Sequence, residues 1–97
     1  MSQPVKVACR PEAARWVCSV TVGDEAAATH HEVTVSRDLL AELRPGAEGP
    51  DDLIRDSFEF LLEREPRESI LRSFDLPVIR RYFPEWEEEI SGGTAGA

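Results

Sequence analysis

Three consecutive runs near the start of the chain alternate apolar and polar residues with a period of two. Val5, Val7 and Cys9 alternate with Lys6, Ala8 and Arg10. Trp16, Cys18, Val20 and Val22 alternate with Val17, Ser19 and Thr21. His31, Val33 and Val35 alternate with Glu32, Thr34 and Ser36. Successive side chains of a strand point to opposite faces, so this pattern predicts a three-stranded antiparallel meander with one buried face. Pro11-Glu12-Ala13-Ala14 and Gly23-Asp24-Glu25 supply the turn signals between the runs. A four-residue first turn sets Cys9 opposite Trp16 and Cys18 opposite Val7, which leaves the two sulfurs diagonal. Diagonal strand neighbours are too far apart for easy bridging, so both cysteines are expected to be reduced, small core residues.

After Ser36 the period changes. Leu39, Leu40 and Leu43 recur at helical spacing, with Ser36 placed to cap a helix from Arg37 to Leu43 or Arg44. Pro45-Gly46 stops it. Pro50 pre-sets the next helix, predicted over 51–65, with Asp51 and Asp52 at its positive end. Leu53, Ile54, Phe58, Leu61 and Leu62 form its apolar stripe; Phe60 lies off that stripe, to cover a neighbour or to face a partner. Pro66 interrupts this helix, and the chain is expected to restart as another, with Ile70, Leu71 and Phe74 inward. Asp75 can cap a further short helix that holds Leu76, Val78, Ile79, Tyr82 and Phe83 and ends at Pro84. The expectation is one α+β domain over 1–90, a meander followed by three or four short helices on one sheet face, with a flexible Gly-rich tail at 91–97.

Ninety-seven residues allow one modest core and no cleft between domains. No apolar run reaches the length of a membrane span, and the first residues lack the apolar stretch of a secretory signal, so the default expectation is cytoplasmic. The net charge is −8. Residues 1–50 carry five basic and seven acidic groups, or −2; residues 51–97 carry six and twelve, or −6. Such a surface repels phosphate backbones and suits a partner with a basic surface.

The string Ser57-Phe58-Glu59-Phe60-Leu61-Leu62-Glu63-Arg64-Glu65-Pro66-Arg67-Glu68-Ser69-Ile70-Leu71, followed by Phe74-Asp75-Leu76 and by Ile79, Tyr82, Phe83, Pro84 and Glu85, resembles a family of small uncharacterised bacterial proteins. The resemblance covers roughly residues 30 to 90, including His31-Glu32-Val33-Thr34-Val35. It implies a bacterial cytoplasmic protein and brings no activity with it.

The candidates for chemistry are few. His30 and Glu32 share a strand face, but adjacent His30 and His31 point apart, and two ligands do not close a zinc site. Asp51, Asp52 and Asp56 cluster at a helix start, where the helix dipole already accounts for the first two. No GxSxG elbow or phosphate-cradling glycine loop accompanies Ser57, Ser69 or Ser73. No catalytic residue, metal ligand or cofactor is therefore expected. Glu63 to Arg67 and Glu68 to Arg72 have the spacing of helix-surface ion pairs. Arg80, Arg81 and Tyr82, with Trp86 and Phe60, are the candidate partner-binding residues, because arginine and aromatics concentrate in binding hot spots; the alternative for the aromatics is that they close the core. The expected function is a non-catalytic protein-interaction or regulatory module, possible as a homodimer. The alternative is a ribbon-helix-helix regulator or antitoxin, in which the strand 30–36 would pair with its twin and enter a DNA groove.

Overall fold

The computed structural model describes residues 4–24 and 26–92, the last two by backbone alone. Its architecture is α+β, with a four-stranded mixed sheet in the order β1-β2-β3-β4. Strands β1 (Val5–Glu12), β2 (Arg15–Val22) and β3 (Thr29–Ser36) form the antiparallel meander. The inner face carries Val5, Val7, Cys9, Trp16, Cys18, Val20, Val22, His31, Val33 and Val35, as the alternation requires. Val17 departs from it: it lies on the outer face between its cross-strand neighbours Arg10 and Thr34, yet is buried.

The β1–β2 turn is shorter than its residue types suggest. Glu12 pairs with Arg15, so only Ala13 and Ala14 make the turn, with Ala13 in the left-handed region at φ 54°. This moves the register by two residues. Cys9 stands directly opposite Cys18, with a Cα–Cα distance of 4.0 Å, and the two form a disulfide. The expectation of two reduced, diagonal thiols is thereby corrected.

Helix α1 (Arg37–Leu43) starts where Ser36 Oγ accepts the Leu39 amide at 3.0 Å, and buries Leu39, Leu40 and Leu43. Helix α2 (Asp51–Leu62) follows Pro50, whose carbonyl accepts the Ile54 amide at 2.9 Å. It ends three residues before the predicted limit of 65. The Arg64 and Glu65 amides both turn back to the Leu61 carbonyl, which closes the helix ahead of Pro66. The helix buries Leu53, Ile54, Ser57, Phe58, Phe60 and Leu61. Its Phe58 ring meets His31 at 5.3 Å and Phe74 at 6.2 Å, which joins the helix to the far half of the sheet.

The segment after Pro66 does not restart as the expected helix. One 3-10 turn, Arg67–Ser69, gives way to extended chain, and β4 (Ser73–Asp75) lies parallel to β3. The physical reason is the open edge of β3: its unpaired backbone groups need partners. The Glu32 amide takes the Arg72 carbonyl at 2.7 Å. The expected i,i+4 pair of Glu68 and Arg72 has no helix to carry it. A 3-10 turn Leu76–Val78 and the single helical turn α3 (Ile79–Tyr82) follow, then a π-helical turn Glu88–Gly92. Of the expected tail, residues 91 and 92 belong to that turn and 93–97 lie outside the described residues.

Two arginines pin the last segment to the helices. Arg44 Nη2 meets Asp56 at 2.7 Å and the Ile90 carbonyl at 3.0 Å. Arg64 donates to Glu89 at 3.0 Å, to Glu85 at 3.3 Å and to the Phe60 carbonyl at 3.0 Å. Between these pins Trp86 is fully buried and its Nε1 donates to Ser57 Oγ at 3.0 Å.

Candidate functional site

The sheet edge at β4, the end of α2 and α3 enclose an apolar groove of about 230 Å³. Leu61 comes from α2, Ile70 and Leu71 from the extended chain, Phe74 from β4, and Val78, Ile79, Tyr82 and Phe83 from the last turns. Pro66 creates the groove: by ending the helix early it sends 70–75 across to β3 and leaves a trough between that chain and α3. Among the described residues, the only exposed large apolar side chains are Leu71 (47% exposed) and Tyr82 (66%), and both stand on this groove. Isolated exposed apolar residues need no explanation, but two on one concave patch do. Glu65 lies on the same wall and makes no ion pair among the described residues.

The proposed contact residues separate. Tyr82 is on the groove. Arg80 and Arg81 flank it on α3 and are exposed; Arg80 meets Glu87 at 3.3 Å. Phe60 and Trp86 are in the core instead. Phe60 is 5% exposed, edge-on to Phe83 at 5.8 Å, with the Arg64 guanidinium 3.6 Å from its ring centroid. A phenylalanine off the main stripe of α2 is buried because the segment 83–90 folds back over that side. Leu71 was not singled out by sequence reasoning, which placed it inside a helix. Its exposure follows from the strand conformation of its neighbours.

His31 supports the groove from behind. Its Nδ1 lies 2.8 Å from the Leu71 carbonyl and its Nε2 2.9 Å from Thr29 Oγ1. A carbonyl can only accept, so Nδ1 carries the proton and Nε2 accepts from the threonine hydroxyl. Burial lowers the pKa of His31 from its ordinary value; Arg72 and His30 push the same way, and the Leu71 carbonyl opposes them. His30 faces the other side of the sheet, with Nδ1 3.4 Å from Thr21 Oγ1, and Glu32 is exposed. Among the described residues no three His, Cys, Asp or Glu side chains converge as a metal site would need. A wider depression beside residues 43–53 is rimmed by Glu48, Asp51 and Asp52 and exposes no large apolar side chain. No helix among the described residues is long and apolar enough to cross a membrane.

No family model, no curated protein and no solved structure matches this chain.

Proposed function

We propose that this protein is a non-catalytic interaction module, and that its groove receives an apolar side chain from a partner protein segment that also carries a basic residue. One observation carries the reading: the two exposed large apolar side chains, Leu71 and Tyr82, stand on one apolar trough. A volume of about 230 Å³ suits one large side chain, not a whole helix. Glu65, without an ion pair among the described residues, is placed to meet a lysine or arginine beside that anchor, and the net charge of −8 favours the same partner. Arg80 and Arg81 border the site and would steer acidic groups of the partner to the α3 side. A bacterial cytoplasmic setting is part of this proposal and rests on the resemblance at 57–85.

A peptide display selection against the full chain tests it. Enriched peptides should share a large apolar residue next to Lys or Arg, and Leu71→Asp should abolish their binding. Enrichment of sequences without that pair, or binding indifferent to Leu71→Asp, would overturn the proposal. The ribbon-helix-helix reading has little support. It needs β3 to pair with a twin, but β2 covers one edge of β3 and β4 covers the middle of the other.

A further inference from the structure

We propose that the Cys9–Cys18 bond is a reversible redox latch that holds the edge strand β1 on the sheet. Three features of β1 carry the inference. First, it is an edge strand, paired among the described residues with β2 alone. The Gly23 amide donates to the Pro4 carbonyl, which assigns the hydrogen-bonded positions to the even-numbered residues of the strand. The backbone groups of Val5, Val7, Cys9 and Pro11 therefore point away from the sheet. Pro11 fits there because it has no N–H to lose. Second, β1 is the only one of the three long strands with no fully buried residue. Its inward residues Val5, Val7 and Cys9 are half-buried, whereas Cys18, Val20 and Val22 of β2 are at most 1% exposed. Apolar burial thus holds β1 more weakly than its neighbours. Third, the bond sits past the middle of the strand and joins its directly opposed partner.

The two cysteine residues differ in burial. Cys18 is fully buried, while Cys9 is half-buried on the edge strand. Exchange enters at Cys9. A thiolate of a dithiol reductant attacks Cys9 Sγ; the S–S bond breaks, and the Cys18 thiolate leaves and takes a proton. The second thiol of the reductant then attacks its own sulfur in the mixed disulfide and releases Cys9 as a thiol. Two electrons and two protons pass from the dithiol to the protein, and the reductant leaves as a cyclic disulfide. With the bond open, β1 keeps only its ladder to β2 and the packing of its half-buried inner residues under α2, and it loosens from β2 ahead of the rest of the fold.

Hydrogen exchange on the full chain, oxidised and then treated with dithiothreitol without denaturant, tests the latch. The amides of β1 and their partners in β2 should exchange about tenfold faster or more after reduction, while those of α2 keep their protection. The double variant Cys9→Ala/Cys18→Ala should match the reduced chain with or without reductant. Glutathione disulfide added to the reduced chain should be trapped first on Cys9. A bond that opens only when α2 loses protection too, unchanged β1 exchange after reduction, or first trapping on Cys18 would each overturn the proposal and leave a static cross-link.

Discussion

Ser57→Ala probes whether Trp86 is a core pillar or a surface aromatic. Ser57 lies on the buried side of α2 and its Oγ is the acceptor for Trp86 Nε1 at 3.0 Å, with both residues fully buried. The substitution removes the acceptor and leaves an indole N–H in an apolar setting, which costs about 1–3 kcal/mol. Alanine in place of serine inside a helix returns about 0.5 kcal/mol through better propensity. The net expectation is a loss of about 0.5–2.5 kcal/mol. Trp86→Phe removes the other end and adds a cavity, so it should be worse, by about 2–4 kcal/mol. The double variant should be less destabilised than the sum of the two, with a coupling near 1 kcal/mol, because the stranded donor is gone. Urea unfolding followed by circular dichroism measures all three without relying on fluorescence from Trp16. If Ser57→Ala leaves stability unchanged, or if the two effects simply add, the indole is not hydrogen-bonded to Ser57 and the account of how the segment 85–90 is seated is wrong.

Three further outcomes follow from the same geometry. Cys9→Ala/Cys18→Ala should lower stability by about 2.7 kcal/mol on the chain-entropy estimate for a sequence separation of 9; a midpoint equal to that of the oxidised chain in chemical denaturation would show that the bond is not formed. His31 has a lowered pKa, so its stabilising contribution is complete above its unfolded value of 6.5 and is lost as pH falls from there through the folded value, with a slope of at most about 1.4 kcal/mol per pH unit. The stability difference between wild type and His31→Gln should therefore shrink from pH 7.5 to pH 5.5, and a difference that grows on acidification would contradict the sign. Leu71→Asp should change the melting temperature little, as a substitution at an exposed site, whereas Phe58→Asp, which puts a charge against His31 and Phe74, should prevent folding; equal tolerance of both would place the core on the wrong residues.

The meander and its buried face could be read from period-two alternation because nothing in the tertiary structure competes with it. Ser36 as a cap and the body of α2 were legible for the same reason: cap, propensity and apolar stripe agree. What escaped depended on contacts distant in sequence. The turn at Ala13 and Ala14 uses a left-handed alanine in place of the expected Asn or Gly, so residue types gave a loop two residues too long. That shift alone decides whether Cys9 faces Trp16 or Cys18. Strand β4 is only Ser73–Asp75, too short to show a period, and exists because β3 offers it an edge. The groove came from the early end of α2 and from the segment 70–75 misread as helix, since Leu71 is exposed only when its neighbours are extended. Tyr82, Arg80 and Arg81, singled out by residue type, are exposed; Phe60 and Trp86 share that type but are claimed by the core.

The parallel return of β4 also sets an order of events during synthesis. While the first half of the chain leaves the ribosome, the meander can assemble, but the Glu32 amide has no acceptor until Arg72 has emerged. For that interval the nascent protein carries a bare strand flank beside Val33 and Val35, the kind of template on which stray chains aggregate. Slowing translation between codons 36 and 72 should lower the soluble yield, and speeding it should raise that yield.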